Sequence, residues 1–140
     1  MPRAATRDSV RRVDPAAQGK VYGPVDFQVT PELVAAFREL FDGPPGVHPT
    51  LLTAAEFSLF PAIMGDPELD LDFRRVVHGN QEYEYKRPLL VGESLAVEGH
   101  ITSIRHKGGN GFLTVEMRLR DSAGDLVATA TSLMIERGGS

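Results

Sequence analysis

In the second half of the chain apolar and polar side chains alternate in four runs. Tyr83 and Tyr85 fall on one face of the first run and Glu82 and Glu84 on the other, the period of two expected of a half-buried strand. Ser94 to His106 reads as one long strand, with a slip of the alternation near Ser103 that predicts a bulge. Phe112 to Arg120 follows, with Leu113, Val115, Met117 and Leu119 on one face. Leu126 to Glu136 returns, and its small residues Ala128, Ala130 and Ser132 allow another element to approach closely. Lys107 to Gly111 and Ser122 to Asp125 are the connecting turns. Everything after His78 is therefore expected to be antiparallel.

The first half carries helical spacing instead. Gly23-Pro24 signals a turn and Val25 to Val29 a short strand. Thr30-Pro31-Glu32 opens a helix, because threonine caps free amides, proline suits the first turn, and glutamate favours the positive end of the dipole. Leu33, Phe37, Leu40 and Phe41 give that helix one apolar stripe, and the run from Asp42 to Gly46 stops it. A second helix is expected from about Pro49 to Phe60, deeply buried, with Leu51, Leu52, Ala55 and Leu59 as its main stripe. Pro61 ends or kinks it. Residues 1 to 19 lack periodic apolar positions and read as a disordered tail ahead of one domain over residues 20 to 137. The layout is α+β.

Composition narrows the function classes. A chain of 140 residues with 41% apolar and 24% charged content is of single-domain size and ordinary globular make-up. A net charge of −4 argues against nucleic acid as a partner; the arginines at 3, 7, 11 and 12 fit a solvated end. No apolar run approaches the ~20 residues of a membrane span. There is no cysteine, hence no thiolate metal site or thiol nucleophile, and no apolar leader segment, so a cytoplasmic location is expected. No two histidines share a metal-ligand spacing with a nearby carboxylate, and no cofactor is expected. Gly108 to Gly111 lacks the residues and the strand–helix setting of a phosphate loop, and no Gly-x-Ser-x-Gly elbow occurs.

One stretch is more specific. His78, Asn80 and Gln81 precede the short strand; Arg87-Pro88-Leu89 ends it; Gly92-Glu93 and Leu95 open the next. This order, followed by a long meander, resembles the MaoC-like dehydratases of the hotdog superfamily, over about residues 20 to 137. The resemblance implies a curved antiparallel sheet wrapped around a long central helix, here about 49 to 62, and association of two such sheets edge to edge. It also implies acyl-CoA or acyl-carrier-protein thioesters as substrates.

Hydration or dehydration of an enoyl thioester requires an acid/base group at the reacting carbons and donors for the thioester oxygen. Active members of the family carry Asp-x-Asn-Pro-x-His before the central helix. Here Asp42 and His48 are six residues apart rather than five, and the Asn-Pro pair is missing. Asp42 and His48 are therefore only weak catalytic candidates, and His48 aligns better with the residues that introduce the central helix. The resemblance makes His48, His78, Asn80 and Gln81 the candidates for lining the acyl channel, although hydrogen bonding to loop backbone explains His78 as well. It implies the non-catalytic half of an enoyl-thioester hydratase or dehydratase, paired with a MaoC-like subunit that supplies the dyad. The alternatives are a homodimeric hotdog module that binds a thioester or lipid, and a self-sufficient hydratase or thioesterase.

Overall fold

A computed structural model describes residues 12–41 and 46–138. Five antiparallel strands form one sheet: β1 (Val21–Gln28), β2 (Val76–Tyr85), β3 (Ser94–Lys107), β4 (Asn110–Arg120) and β5 (Leu126–Glu136), in the order β1-β3-β4-β5-β2. The three long strands are consecutive and central. Their inward rows, including Leu95, Val97 and Ile101 of β3, Leu113 to Leu119 of β4 and Ala128 to Met134 of β5, pack against the central helical segment. Gly108 and Gly109, both at positive φ, make the tight β3–β4 hairpin. The slip expected near Ser103 is a register shift between Ile101 and Ser103, which keeps Ile104 on the buried face.

Several elements differ from expectation. Gly23-Pro24 lies inside β1 rather than in a turn before it, at a register shift between Tyr22 and Val25. Gly23 has φ +87°, and a Cβ there would sit 2.7 Å from the Val97 carbonyl oxygen, so the close approach of β1 to β3 needs glycine. Helix α1 (Pro31–Leu40) is capped by Thr30, whose hydroxyl accepts the Leu33 amide at 3.1 Å. It buries Val34, while Leu40 is 74% exposed and is no part of the core.

The central helix is not continuous. It runs as a 3-10 turn over Pro49–Leu51, α2 (Leu52–Phe57) and α3 (Phe60–Met64). Pro61 has no N–H to give to the turn before it, and the Ser58 hydroxyl bonds the Ala55 carbonyl, so the ladder breaks at Ser58 and Leu59. The expected stripe of Leu51, Leu52, Ala55 and Leu59 is buried. Phe57 is 62% exposed, so burial is one-sided rather than complete.

The segment assigned to a tail is docked over its last residues. Val13 is 1% exposed, and its amide donates to the Glu136 carboxylate at 2.9 Å. A 3-10 turn over Pro15–Ala17 follows, and the Gln18 side chain accepts the Ile104 amide at 2.9 Å. Single apolar residues among arginines and prolines leave no periodic signal, yet these long-range bonds bring residues 13–18, which the sequence placed in the tail, into the packed structure; residues 1–11 of that expected tail lie outside the described residues. No helix among the described residues is long and apolar enough to cross a membrane.

Candidate functional site

Strand β2 lies at the sheet edge and runs antiparallel along the central helical segment. Its inward row meets the helix residue by residue. The Tyr85 hydroxyl donates to the Pro49 carbonyl, and the Tyr83 hydroxyl sits 2.6 Å from Thr53 Oγ1 and donates to Glu56 Oε1 at 3.1 Å. Gln81 Nε2 donates to Glu56 Oε2 at 3.1 Å. His78 meets the Phe60 ring edge-on, centroids 6.5 Å apart.

Strict alternation would send His78 to the face opposite Gln81, Tyr83 and Tyr85. A register shift between His78 and Asn80 reverses the phase. Gly79 takes the extra position; a Cβ there would lie 2.9 Å from Ile135 Cδ1. The bulge therefore brings His78 and Val76 to the helix side and turns Asn80 towards Glu82, 3.5 Å away on the exposed side. Of the four expected lining residues, the structure groups His78 and Gln81 and separates Asn80 and His48 from them.

Among the described residues His78 is the one polar side chain lining a cleft of about 440 Å³, whose other walls are Phe57, Phe60, Pro61, Met64, Phe73, Val76 and Met134. Phe73 is 64% exposed beside it. Next to the cleft, Glu56 is only 2% exposed. Its carboxylate is reached by Tyr83, Gln81 and Ser132 Oγ, the last at 3.0 Å. Loss of hydration raises its pKa above the ordinary glutamate value; these three donors and the charge of His78 oppose the rise without cancelling it. Burial likewise raises Tyr83 and Tyr85. Glu56 was not singled out from the sequence. Its position was the signal: four residues after Leu52 and three before Leu59, it occupies the buried stripe itself.

At the other end of the helical segment His48 caps the first turn. Its Nδ1 accepts the Thr50 amide at 3.2 Å and lies 2.7 Å from the Thr50 hydroxyl, and its ring stacks on Phe41 at 4.8 Å. Nδ1 is thus engaged as the acceptor of the Thr50 amide, which makes His48 the cap of this turn. Asp42 lies outside the described residues. The Arg87-Pro88-Leu89 motif is a clip: the Arg87 guanidinium grips Glu93 through bonds of 3.0 and 2.7 Å, and Glu93 also accepts the Leu90 amide at 2.6 Å. Among the described residues no cluster of three histidine or carboxylate side chains could hold a metal.

Comparison with known proteins agrees with this architecture. The family model for the FAS1-like dehydratase domain region matches residues 44–130. A UPF0336 protein of Streptomyces avermitilis is 32% identical over 143 aligned positions, covering 89% of this chain and 95% of that protein. A second, from Saccharopolyspora erythraea, is 39% identical over 90 residues, 64% of this chain but only 58% of the relative's length. Among solved structures, a chain of the C-terminally truncated HadBC (3R-hydroxyacyl-ACP dehydratase) complex from Mycobacterium tuberculosis superposes with a TM-score of 0.74 at 17% identity, covering 87% of this chain and 97% of that one. MaoC-like dehydratases share the same hotdog fold. The chain belongs to the MaoC-like dehydratase family, as a hotdog protein of the UPF0336 group.

Proposed function

We propose that the chain is the non-catalytic, channel-shaping half of an enoyl-CoA or acyl-carrier-protein hydratase or dehydratase, completed by a MaoC-like subunit that carries the Asp/His dyad. The observation that carries this reading is the cleft between the central helix and the edge strand β2. Its walls are aliphatic and aromatic, it has one polar group at His78, and Phe57 and Phe73 stand exposed at its rim. Such a cleft suits an acyl chain. The free edge of β2 offers backbone groups to a second sheet. The engagement of His48 Nδ1 by the Thr50 amide, as a cap of the helical segment, supports a structural rather than a catalytic role for this side chain. The heteromeric dehydratase named in the HadBC structure is a precedent for such a pairing.

The test is expression of the chain alone and with a MaoC-like partner bearing Asp-x-Asn-Pro-x-His from the same genome. Crotonyl-CoA hydration should stay at background for the chain alone and rise at least tenfold over the partner alone in the co-purified pair. Full turnover by the pure chain, lost in Asp42→Asn and His48→Ala variants that still fold, would overturn the assignment in favour of a self-sufficient hydratase. A stable homodimer that ignores the partner would favour a binding module.

A further inference from the structure

The hydrogen-bond network around Glu56 has one more oxygen contact than protons to fill it. Ser132 Oγ lies 2.6 Å from Gln81 Oε1 and 3.0 Å from Glu56 Oε2, but a hydroxyl has one proton. With the Gln81 amide donating from Nε2 to Glu56 and to the Thr131 carbonyl at 3.1 and 3.4 Å, its Oε1 needs the Ser132 proton. The Ser132–Glu56 contact is then oxygen to oxygen. Turning the amide over frees Ser132 to donate to Glu56 but sets Gln81 Oε1 against Glu56 Oε2. In either orientation one contact on Oε2 is bonded only when the carboxyl carries a proton.

Ionisation has a structural consequence. The Ser132 hydroxyl must turn to the carboxylate, and Gln81 Oε1 loses its donor at 2.6 Å. Gln81 and Ser132 are directly paired residues of β2 and β5, so the bond that fails is a side-chain tie on the edge strand. The same strand carries His78 into the cleft, and the residue next to Glu56 on the helix, Phe57, forms the facing wall.

We propose that Glu56 is a proton-operated latch: protonated, it ties the central helix to β5 and β2 and holds the cleft wall in place; ionised, it frees Gln81 and loosens β2. The titratable groups that act on it are Tyr83, in contact, with His78 and Tyr85 acting electrostatically, all from β2; β5 contributes the Ser132 hydroxyl and the helix itself Thr53 through Tyr83. The upward displacement of the Glu56 pKa by burial agrees with the proton count. The latch needs neither a partner nor a thioester, so it stands or falls separately from the functional assignment.

The test uses the full chain without ligand. Carboxyl carbon NMR should place the Glu56 midpoint above the free glutamate value of about 4.3. Hydrogen-exchange protection of residues 76–85, corrected for intrinsic rates and referred to the β3–β4 ladder, should fall with rising pH by up to about tenfold per unit between the free and the folded midpoints. Glu56→Gln, a permanently neutral mimic, should hold the protection high and level across that range. Ser132→Ala removes the proton's acceptor and should leave it low and level. An ordinary Glu56 midpoint overturns the latch. So does a raised midpoint with β2 protection independent of pH, or the wild-type slope persisting in Glu56→Gln.

Discussion

Glu56 and Glu136 are two glutamates with the same 2% exposure and opposite surroundings. Glu136 receives two backbone amides, Val13 at 2.9 Å and Asp72 at 2.7 Å. A backbone amide can only donate, so neither partner can reverse its role, and the side chain staples the N-terminal segment and the loop before β2 to the end of β5. Glu56 receives two hydroxyls and a side-chain amide, groups that can reverse their roles. Its site tolerates either charge state at the cost of a rearrangement. Burial of a carboxyl therefore does not by itself mark a switch; the kind of donor decides between a staple and a switch.

The largest effect should come from removing one side of the staple. Deleting residues 1–19 withdraws the Val13 amide, exposes the surface under Val13 and Ala17, and leaves Glu136 buried with half its donors. We expect a loss of roughly 3 kcal/mol or more in urea unfolding, from about 1.5–3 for the apolar contact and 1–3 for the orphaned group. Unchanged stability would mean that the segment is no part of the staple. The next effect is smaller and isolates the carboxylates. Glu136→Gln turns an NH2 group towards one of the two amides that donate to it, whose roles cannot reverse, which should cost about 2 kcal/mol at pH 7. Glu56→Gln should lie within about 1 kcal/mol of wild type, because every partner there can reorient. Equal costs at the two positions would erase the distinction.

The sheet was legible because its signal is local. Alternation along residues 94–136 places the inward rows correctly, and the slip near Ser103 is visible as two adjacent polar positions where one is expected. The break of the central helix was legible at Pro61. The N-terminal staple was not: Val13 is a single apolar residue, and what fixes it is a carboxylate 123 positions later. The candidate site was half legible. His78 and Gln81 stand in a recognisable motif, but the phase reversal at Gly79 that brings them to one face is set by Ile135 and Leu133 on the neighbouring strand. Glu56 was visible as a charge on an apolar stripe; its partners come from two strands that spacing along the chain cannot pair with it.

The smallest effect sharpens the comparison through its sign. Glu93 is a third carboxylate with fixed donors, the Arg87 guanidinium and the Leu90 amide, and the Arg87 bond first of all holds its pKa below the ordinary glutamate value. A depressed folded-state pKa contributes stability that is present above the unfolded value of about 4.3 and is lost as pH falls through the folded value. Glu56 works in reverse: its raised pKa makes the fold most favourable below about 4.3 and less so as pH rises towards the folded midpoint. Since Arg87 is one-third exposed, solvent screens the clip and its share should be about 1 kcal/mol. In a series of urea curves from pH 3 to 8, Glu93→Gln should flatten the acid limb only, and Glu56→Gln only the limb above it. If either substitution flattened both limbs, the two carboxyls would be titrating as one coupled system, and the division into fixed and reversible donors would not describe this protein.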